Sequence, residues 1–268
     1  MFAILSDIHA NLEALTAVLA DIDRHGVERV VCLGDIVVYG PDPVACIDLV
    51  RERFEGVIMG YFDQAVIFGD RGYGSSGFES IQWTRRLLDS PTEPRDAGER
   101  RWAFLAELPR SLREGDTLYV HGSARNPTLE YVYPEDIYNP GKLKRIFDLI
   151  PHVCFCGLTH LPGVLNDRSG RYDVKTRINY PSGGDGEYTY YTPEELGHAY
   201  RIDQFKTIIN VGSVGQPRDG DPCAAYALVE GGHVRFRRVD YDMGTTIRKI
   251  YDNPDLRDMD GDRLRDGR

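Results

Sequence analysis

Short apolar runs that stop abruptly at polar residues set the rhythm of this chain. Phe2–Leu5 runs into Ser6-Asp7, and Leu12, Leu15, Val18, Leu19 and Ile22 then recur at helical spacing, which reads as strand, loop, helix. Val30–Leu33 repeats the apolar run and ends at Gly34-Asp35, after which Pro41 and Pro43 introduce a predicted helix carrying Ala45, Cys46, Leu49 and Val50. Val57–Met59 gives a third strand, again ending at glycine. Strands that alternate with helices, through connections too long for hairpins, predict a largely parallel sheet covered on both faces.

Further along, residues 77–108 read as helical, with Trp83, Leu87 and Leu88 on one stripe and Trp102, Leu105 and Leu108 on another, interrupted by Pro91 and Pro94. Strands then return. Thr117–Val120 leads into His121-Gly122, and Val153–Cys156 leads into Gly157-Leu158-Thr159-His160. From Val164 the pattern is strand-like, clearest at Ile202, Phe205–Ile209, Ala224–Val229 and Val234–Val239. Ser182–Tyr191, with three glycines and three tyrosines, predicts an exposed hairpin or loop over the sheet. No linker rich in Pro, Gly or Ser divides the chain, so residues 1–251 read as a single domain. Over 252–268 Asp and Arg alternate with few apolar residues, which predicts a polar, solvated tail. Asp258, Asp260 and Asp262 have the spacing of a calcium loop but lack its glycine at the sixth position.

At 268 residues and 41% hydrophobic, the chain can bury a sizeable core. Its net charge of -10 disfavours a non-specific grip on nucleic acid, so a phosphate-bearing partner would need local positive charge, which a bound cation supplies. No apolar run approaches a membrane span. Met1–Leu5 meets Asp7 without a basic segment followed by an apolar stretch, unlike a secretory leader, and the five cysteines are scattered. Both features lead us to expect a cytoplasmic protein with reduced thiols. Cys154 and Cys156 share a strand face and read as buried packing.

The chemistry gathers at the strand ends, where loops of such sheets collect side chains from several strands. Asp7 and His9 stand two apart, so an extended backbone would send both side chains to one side, able to grip one ion together. Asp35 follows Gly34, and His121 and His160 close two further strands. Singly, each could do no more than cap a turn or a helix. Jointly, this oxygen and nitrogen set points to a divalent metal, manganese or iron first and zinc next. Arg218, in Gly215-Gln216-Pro217-Arg218-Asp219, could reach a phosphate or tie Asp219, and Arg125 is a weaker candidate.

These residues fall in a series of motifs: Ser6-Asp7-Ile8-His9-Ala10-Asn11, Gly34-Asp35-Ile36-Val37, Gly60-Tyr61-Phe62-Asp63, Val120-His121-Gly122, Gly157-Leu158-Thr159-His160 and Asn210–Arg218. In that order they resemble the calcineurin-like metallophosphoesterases, specifically the small prokaryotic phosphodiesterase and dinucleoside-tetraphosphatase-like branch, over most of the chain. The resemblance implies an α/β (mixed α+β) sandwich of two mixed sheets flanked by helices. It also implies a two-metal site in which Asp35 bridges, Asp7, His9 and His160 complete the first metal, and His121 serves the second. The implied reaction is hydrolysis of a small phosphodiester or nucleotide by a metal-activated water, with no protein nucleophile.

Three positions depart from the family pattern. Tyr61 stands where the family places a metal-binding asparagine, Leu158 where it places a histidine, and Phe62 where many members carry the histidine that protonates the leaving group. Strand alternation would aim Leu158 to the same side as His160. The first metal therefore keeps all its ligands while the second is doubtful. The alternative reading is a catalytically reduced relative that keeps one metal as a binding or interaction module. A nucleotide-binding fold without hydrolysis fits less well, because Ser6–Leu12 lacks a glycine-rich phosphate cradle.

Overall fold

The computed structural model describes residues 1–69, 75–90, 95–173, 178–181 and 188–268. Two six-stranded sheets form its centre. In the first, β1 (Phe2–Leu5), β2 (Arg29–Cys32) and β3 (Gly56–Val57) run parallel. β13 (Ala224–Glu230), β14 (His233–Val239) and β11 (Ala199–Arg201) extend that sheet antiparallel from the other side of β1. In the second, β5 (Thr117–Val120), β6 (Val153–Cys156) and β12 (Lys206–Asn210) run parallel. Antiparallel β4 (Ser111–Glu114) lies at one edge, with β7 (Gly163–Asp167) and β10 (Tyr188–Tyr191) at the other. β8 (Gly170–Asp173) and β9 (Ile178–Pro181) pair separately. The two mixed sheets are those that the family resemblance implies, whereas strand-helix alternation alone reads as a single, largely parallel sheet. Periodicity detects the strands but not the crossing to a second sheet, nor the β13–β14 hairpin that returns antiparallel beside β1.

Alternation along β1 shows how the layers form. Ala3 and Leu5 face a core shared with α1 (Leu12–Arg24), α2 (Pro43–Arg53), α3 (Tyr61–Phe68), α4 (Ser75–Leu88) and α5 (Arg95–Glu107). Ile4 points the other way, into a core with Tyr119, Phe155 and Ile209 between the two sheets. On the outer face of the second sheet, Cys154, Cys156 and Leu165 pack with Leu143, Ile146 and Phe147 of α6 (Pro140–Phe147). The two cysteines are therefore packing residues, with burial pushing both thiols up.

The solvated tail over 252–268 is corrected. Residues Asp258–Asp266 form α8, which packs on α7 (Met243–Tyr251) with Leu256 and Leu264 joining Trp83, Ile247 and Ile250 in one apolar cluster. The Asp and Arg positions mask this short apolar stripe, and Asp258 and Asp260 occupy a first helical turn rather than a calcium loop. Of the expected loop Ser182–Tyr191, Tyr188–Tyr191 is the edge strand β10, while 182–187 lie outside the described residues. No helix among the described residues is long and apolar enough to cross a membrane.

Candidate metal centre

The loops that follow β1, β2, β5, β6 and β12 meet at the carboxyl ends of the two parallel strand sets. They bring Asp7, His9, Asp35, His121 and His160 together, all almost completely buried. His160 Nε2 lies 3.2 Å from Asp7 Oδ1 and 3.1 Å from His9 Nε2. His121 Nε2 lies 3.4 Å from Asp35 Oδ2 and 4.0 Å from Asp7 Oδ1, and Asp35 Oδ2 is also 3.9 Å from His9 Nε2. The donor atoms form two overlapping groups, Asp7, His9 and His160 in one and Asp7, Asp35 and His121 in the other, each within 4.8 Å of one another.

The backbone reaches this arrangement by an unexpected route. Asp7, His9, Asp35 and His160 have φ of 56°, 49°, 54° and 62°, in the left-handed region that non-glycine residues seldom enter. The extended Asp7–His9 segment read from the sequence is thus corrected: the two side chains converge through a turn held by the His9 N–H to the Asp35 carbonyl at 2.9 Å. Leu158, at φ 66°, likewise lies beyond β6, so strand alternation does not set its direction. Its main-chain N–H donates to Asp7 Oδ2 at 3.1 Å. Four such residues around one point are stored strain, sustained by the packing of neighbouring loops.

Close approach explains the motif glycines. A Cβ on Gly60 would stand 2.1 Å from Asp35 N, and one on Gly157 would stand 2.5 Å from Asp7 Oδ2. The segment after β12 supports the centre from beneath. Ser213 Oγ donates to the Asp7 carbonyl at 2.9 Å, and Gly215 N donates to the same oxygen at 2.9 Å.

Tautomers follow from the outer partners. His121 Nδ1 meets the Leu33 carbonyl at 2.9 Å and His160 Nδ1 meets the Gln216 carbonyl at 2.6 Å. A carbonyl only accepts, so each Nδ1 carries a proton and Nε2 is the nitrogen each ring turns to the centre, able to ligate where it is unprotonated. Asp7 Oδ1, Asp35 Oδ2 and His121 Nε2 are buried without a hydrogen-bond partner. Buried polar atoms without partners are costly, and a cation there, in place of a proton on His121, would satisfy all three at once. The donor chemistry and this geometry fit a divalent ion.

The electrostatics agree. Burial, reinforced by His160, lowers the His9 pKa to about 3, which keeps it neutral and able to ligate. Burial also opposes protonation of His121, but Asp35 and Asp7 outweigh it and raise its pKa to about 9. The two carboxylates thus draw a positive charge to the spot, as a proton or as a metal. Burial would raise Asp7, yet His160, His121 and His9 hold it well below the usual carboxylate range.

Asp63 is a positioning residue that the sequence reading placed in a motif but gave no role. Its carboxylate accepts from the backbone N–H groups of Asp35 (2.8 Å), Ile36 (2.9 Å) and Gly60 (2.9 Å), tying the β2 and β3 loops together. Asp35 Oδ1 in turn accepts from Phe62 N at 2.7 Å. The spacing of three from Gly60, at a helix start, was the available signal.

Where the family pattern breaks, the structure places aromatic rings. Tyr61 packs edge-on to Phe62 at 4.9 Å, and Phe62 lies 5.8 Å from the His9 ring and 4.8 Å from Tyr39. Arg218 donates to Gln216 Oε1 at 2.6 Å rather than to Asp219, which pairs with Arg238. Arg125 is taken by Glu130. Behind His9, α7 and α8 close a small cavity lined also by Thr246, Asp260 and Leu264. Asp260 is buried and held by Arg257 at 3.0 Å, so the C-terminal helix forms one wall beside the centre.

The fold is a two-sheet sandwich with a cluster of candidate metal ligands at its strand ends. The chain belongs to the calcineurin-like phosphoesterase superfamily, whose domain matches residues 1–232. A metallophosphoesterase from Sphaerobacter thermophilus superposes with a TM-score of 0.73 and 32% identity, covering 100% of this chain and 99% of that one. An uncharacterised protein of Methanocaldococcus jannaschii is 31% identical, with 100% of this chain and 98% of that protein covered. A hypothetical protein of Pyrococcus horikoshii has the same fold at a TM-score of 0.69 and 20% identity, covering 100% and 99%.

Proposed function

We propose that this chain hydrolyses a small phosphodiester or nucleotide, with Asp7, His9, Asp35 and His160 holding one divalent ion and His121 facing a second position across Asp35. Mn²⁺ or Fe²⁺ suits the mixed oxygen and nitrogen donors best, and Zn²⁺ is the next choice. The observation that carries the reading is the pair of overlapping groups of buried donor atoms, Asp7, His9 and His160 in one and Asp7, Asp35 and His121 in the other, which share Asp7. When bound, the ion supplies charge neutralisation at phosphoryl oxygens and acidifies a water. The protein's part is positional. Leu33 and Gln216 carbonyls fix the imidazoles, Asp63 fixes the Asp35 loop, and Leu158 N–H fixes Asp7. Phe62 and Tyr39 exclude water beside His9 but offer no proton at the leaving group from Phe62, which favours substrates with good leaving groups. The test is Mn²⁺-stimulated cleavage of bis(p-nitrophenyl) phosphate, with Asp35→Asn as control. Turnover no higher than that control across Mn²⁺, Fe²⁺ and Zn²⁺ would refute hydrolysis.

A second reading, a catalytically reduced relative that uses one metal for binding, is favoured by Tyr61, Phe62 and Leu158 at three positions where the family pattern has a metal ligand or an acid. It predicts one tightly held ion per chain with no turnover. Two ions by elemental analysis would count against it.

A further inference from the structure

Beside the metal centre two tyrosines lie parallel. The rings of Tyr131 and Tyr133 are 5.4 Å apart at 6°, and Tyr133 remains 42% exposed. Their segment is anchored to the loops that carry two of the histidines. On one side, Gly122, next to His121, donates to Pro127 O at 2.6 Å, and a Cβ there would stand 2.9 Å from Glu130 O, the residue before Tyr131. On the other side, Tyr133 lines a narrow cleft with Leu161, which follows His160, and with Val132 and Tyr190.

Arg218 completes the set. It is bound to Gln216 Oε1, while the Gln216 carbonyl holds His160, and its Nε is buried without a hydrogen-bond partner. Burial raises the phenol pKa of both tyrosines, and the positive charge of Arg218 opposes that rise in both. Two carboxylates of the same segment are paired, Glu130 with Arg125 and Asp136 with Lys142, while Glu135 is exposed to solvent. In a chain of net charge -10 the cation of Arg218 suits this place to an anion with a flat ring attached.

We propose that Tyr133, backed by Tyr131 and flanked by Arg218, is a specificity subsite that stacks the aromatic base of a nucleoside phosphate whose phosphate lies at the metal centre. The inference rests on the phosphoesterase reading for the place of the phosphate, and it narrows the substrate class from phosphate esters in general to nucleotides. An aromatic face accepts any base, because every base has a π-face, so the subsite selects for a base without selecting which one.

The experiment is isothermal titration of the full-length, Mn²⁺-loaded protein with adenosine 5′-monophosphate and with ribose 5-phosphate, which lacks the base. Stacking of one base predicts roughly 5- to 150-fold tighter binding of the nucleotide. Tyr133→Ala brings the two ligands to parity at unchanged ribose 5-phosphate affinity and unchanged metal content, whereas Tyr133→Phe keeps the preference. Tyr133 is 42% exposed, and thermal unfolding of both variants checks that the fold is kept. Equal affinities in the parent, no binding of the nucleotide, a preference that survives Tyr133→Ala, or equal weakening of both ligands would overturn the subsite. A preference without turnover refutes hydrolysis alone, and turnover without a preference refutes the subsite alone.

Discussion

Replacing Gly60 by alanine adds one methyl group and leaves every proposed ligand in place, yet it should weaken the metal centre. Gly60 has φ -84°, which alanine adopts freely, so the effect is one of contact alone. The new Cβ would stand 2.1 Å from Asp35 N and 2.3 Å from Asp35 Oδ1. Relieving those contacts requires a displacement of roughly 1 Å, because carbon seldom approaches such atoms closer than about 3.4 Å. Asp35 cannot yield freely: Phe62 N holds its Oδ1 at 2.7 Å, and Asp63 holds its backbone N–H at 2.8 Å. Overpacking of this kind costs about 1–3 kcal/mol, partly offset by the ~0.4–1 kcal/mol gained from a stiffer unfolded chain. Disturbed outer support of a metal ligand weakens binding by about 10- to 100-fold. The assay is Mn²⁺ titration calorimetry with thermal unfolding alongside. Gly244→Ala is the control, since a Cβ there meets nothing nearer than 3.6 Å. Parent-like Mn²⁺ affinity in Gly60→Ala would refute the claim that this close approach fixes Asp35.

Three further outcomes are expected. Tyr61→Asn combined with Leu158→His should raise Mn²⁺ content from about one ion per chain toward two and increase turnover, read by elemental analysis and initial rates; unchanged content would mean that the second position is built by other residues. Leu264→Ala should destabilise the protein by about 2–5 kcal/mol in urea unfolding, because Leu264 is buried against Trp83, Ile247 and Ile250, whereas a solvated tail would give less than about 0.5 kcal/mol. Asp21 is buried, which alone would raise its pKa, but bonds from Tyr226, Arg24 and Arg237 lower it below the ordinary 3.8. Its contribution to stability is therefore present above the unfolded pKa and lost as pH falls through the folded one, so the stability gap between parent and Asp21→Asn should close below about pH 4. A gap independent of pH would contradict that coupling.

The residues that gather at the metal centre were visible in the sequence because each ends an apolar run, and such runs are what periodicity detects best. Their backbone was not visible, since left-handed φ at Asp7, His9, Asp35 and His160 is imposed by tertiary contacts that residue type does not report. Glycine at positions 34, 60 and 157 was the trace those contacts left. The helices α6, α7 and α8 escaped for another reason. Each is short and joins the fold through a few apolar residues, as Leu264 does among the Asp and Arg of 258–266, too few to establish a period. Asp63 was overlooked because its work is done on backbone N–H groups, a partnership that no side-chain pattern announces.

The central claim is that Asp7, His9, Asp35 and His160 hold a divalent ion. An anomalous difference map from crystals of the Mn²⁺-loaded protein, collected at the manganese edge, tests it most directly. The account predicts a dominant peak in contact with those four side chains, with any second, weaker peak on the His121 side of Asp35. A map with no peak among them, or with its strongest peak elsewhere in the molecule, would contradict it.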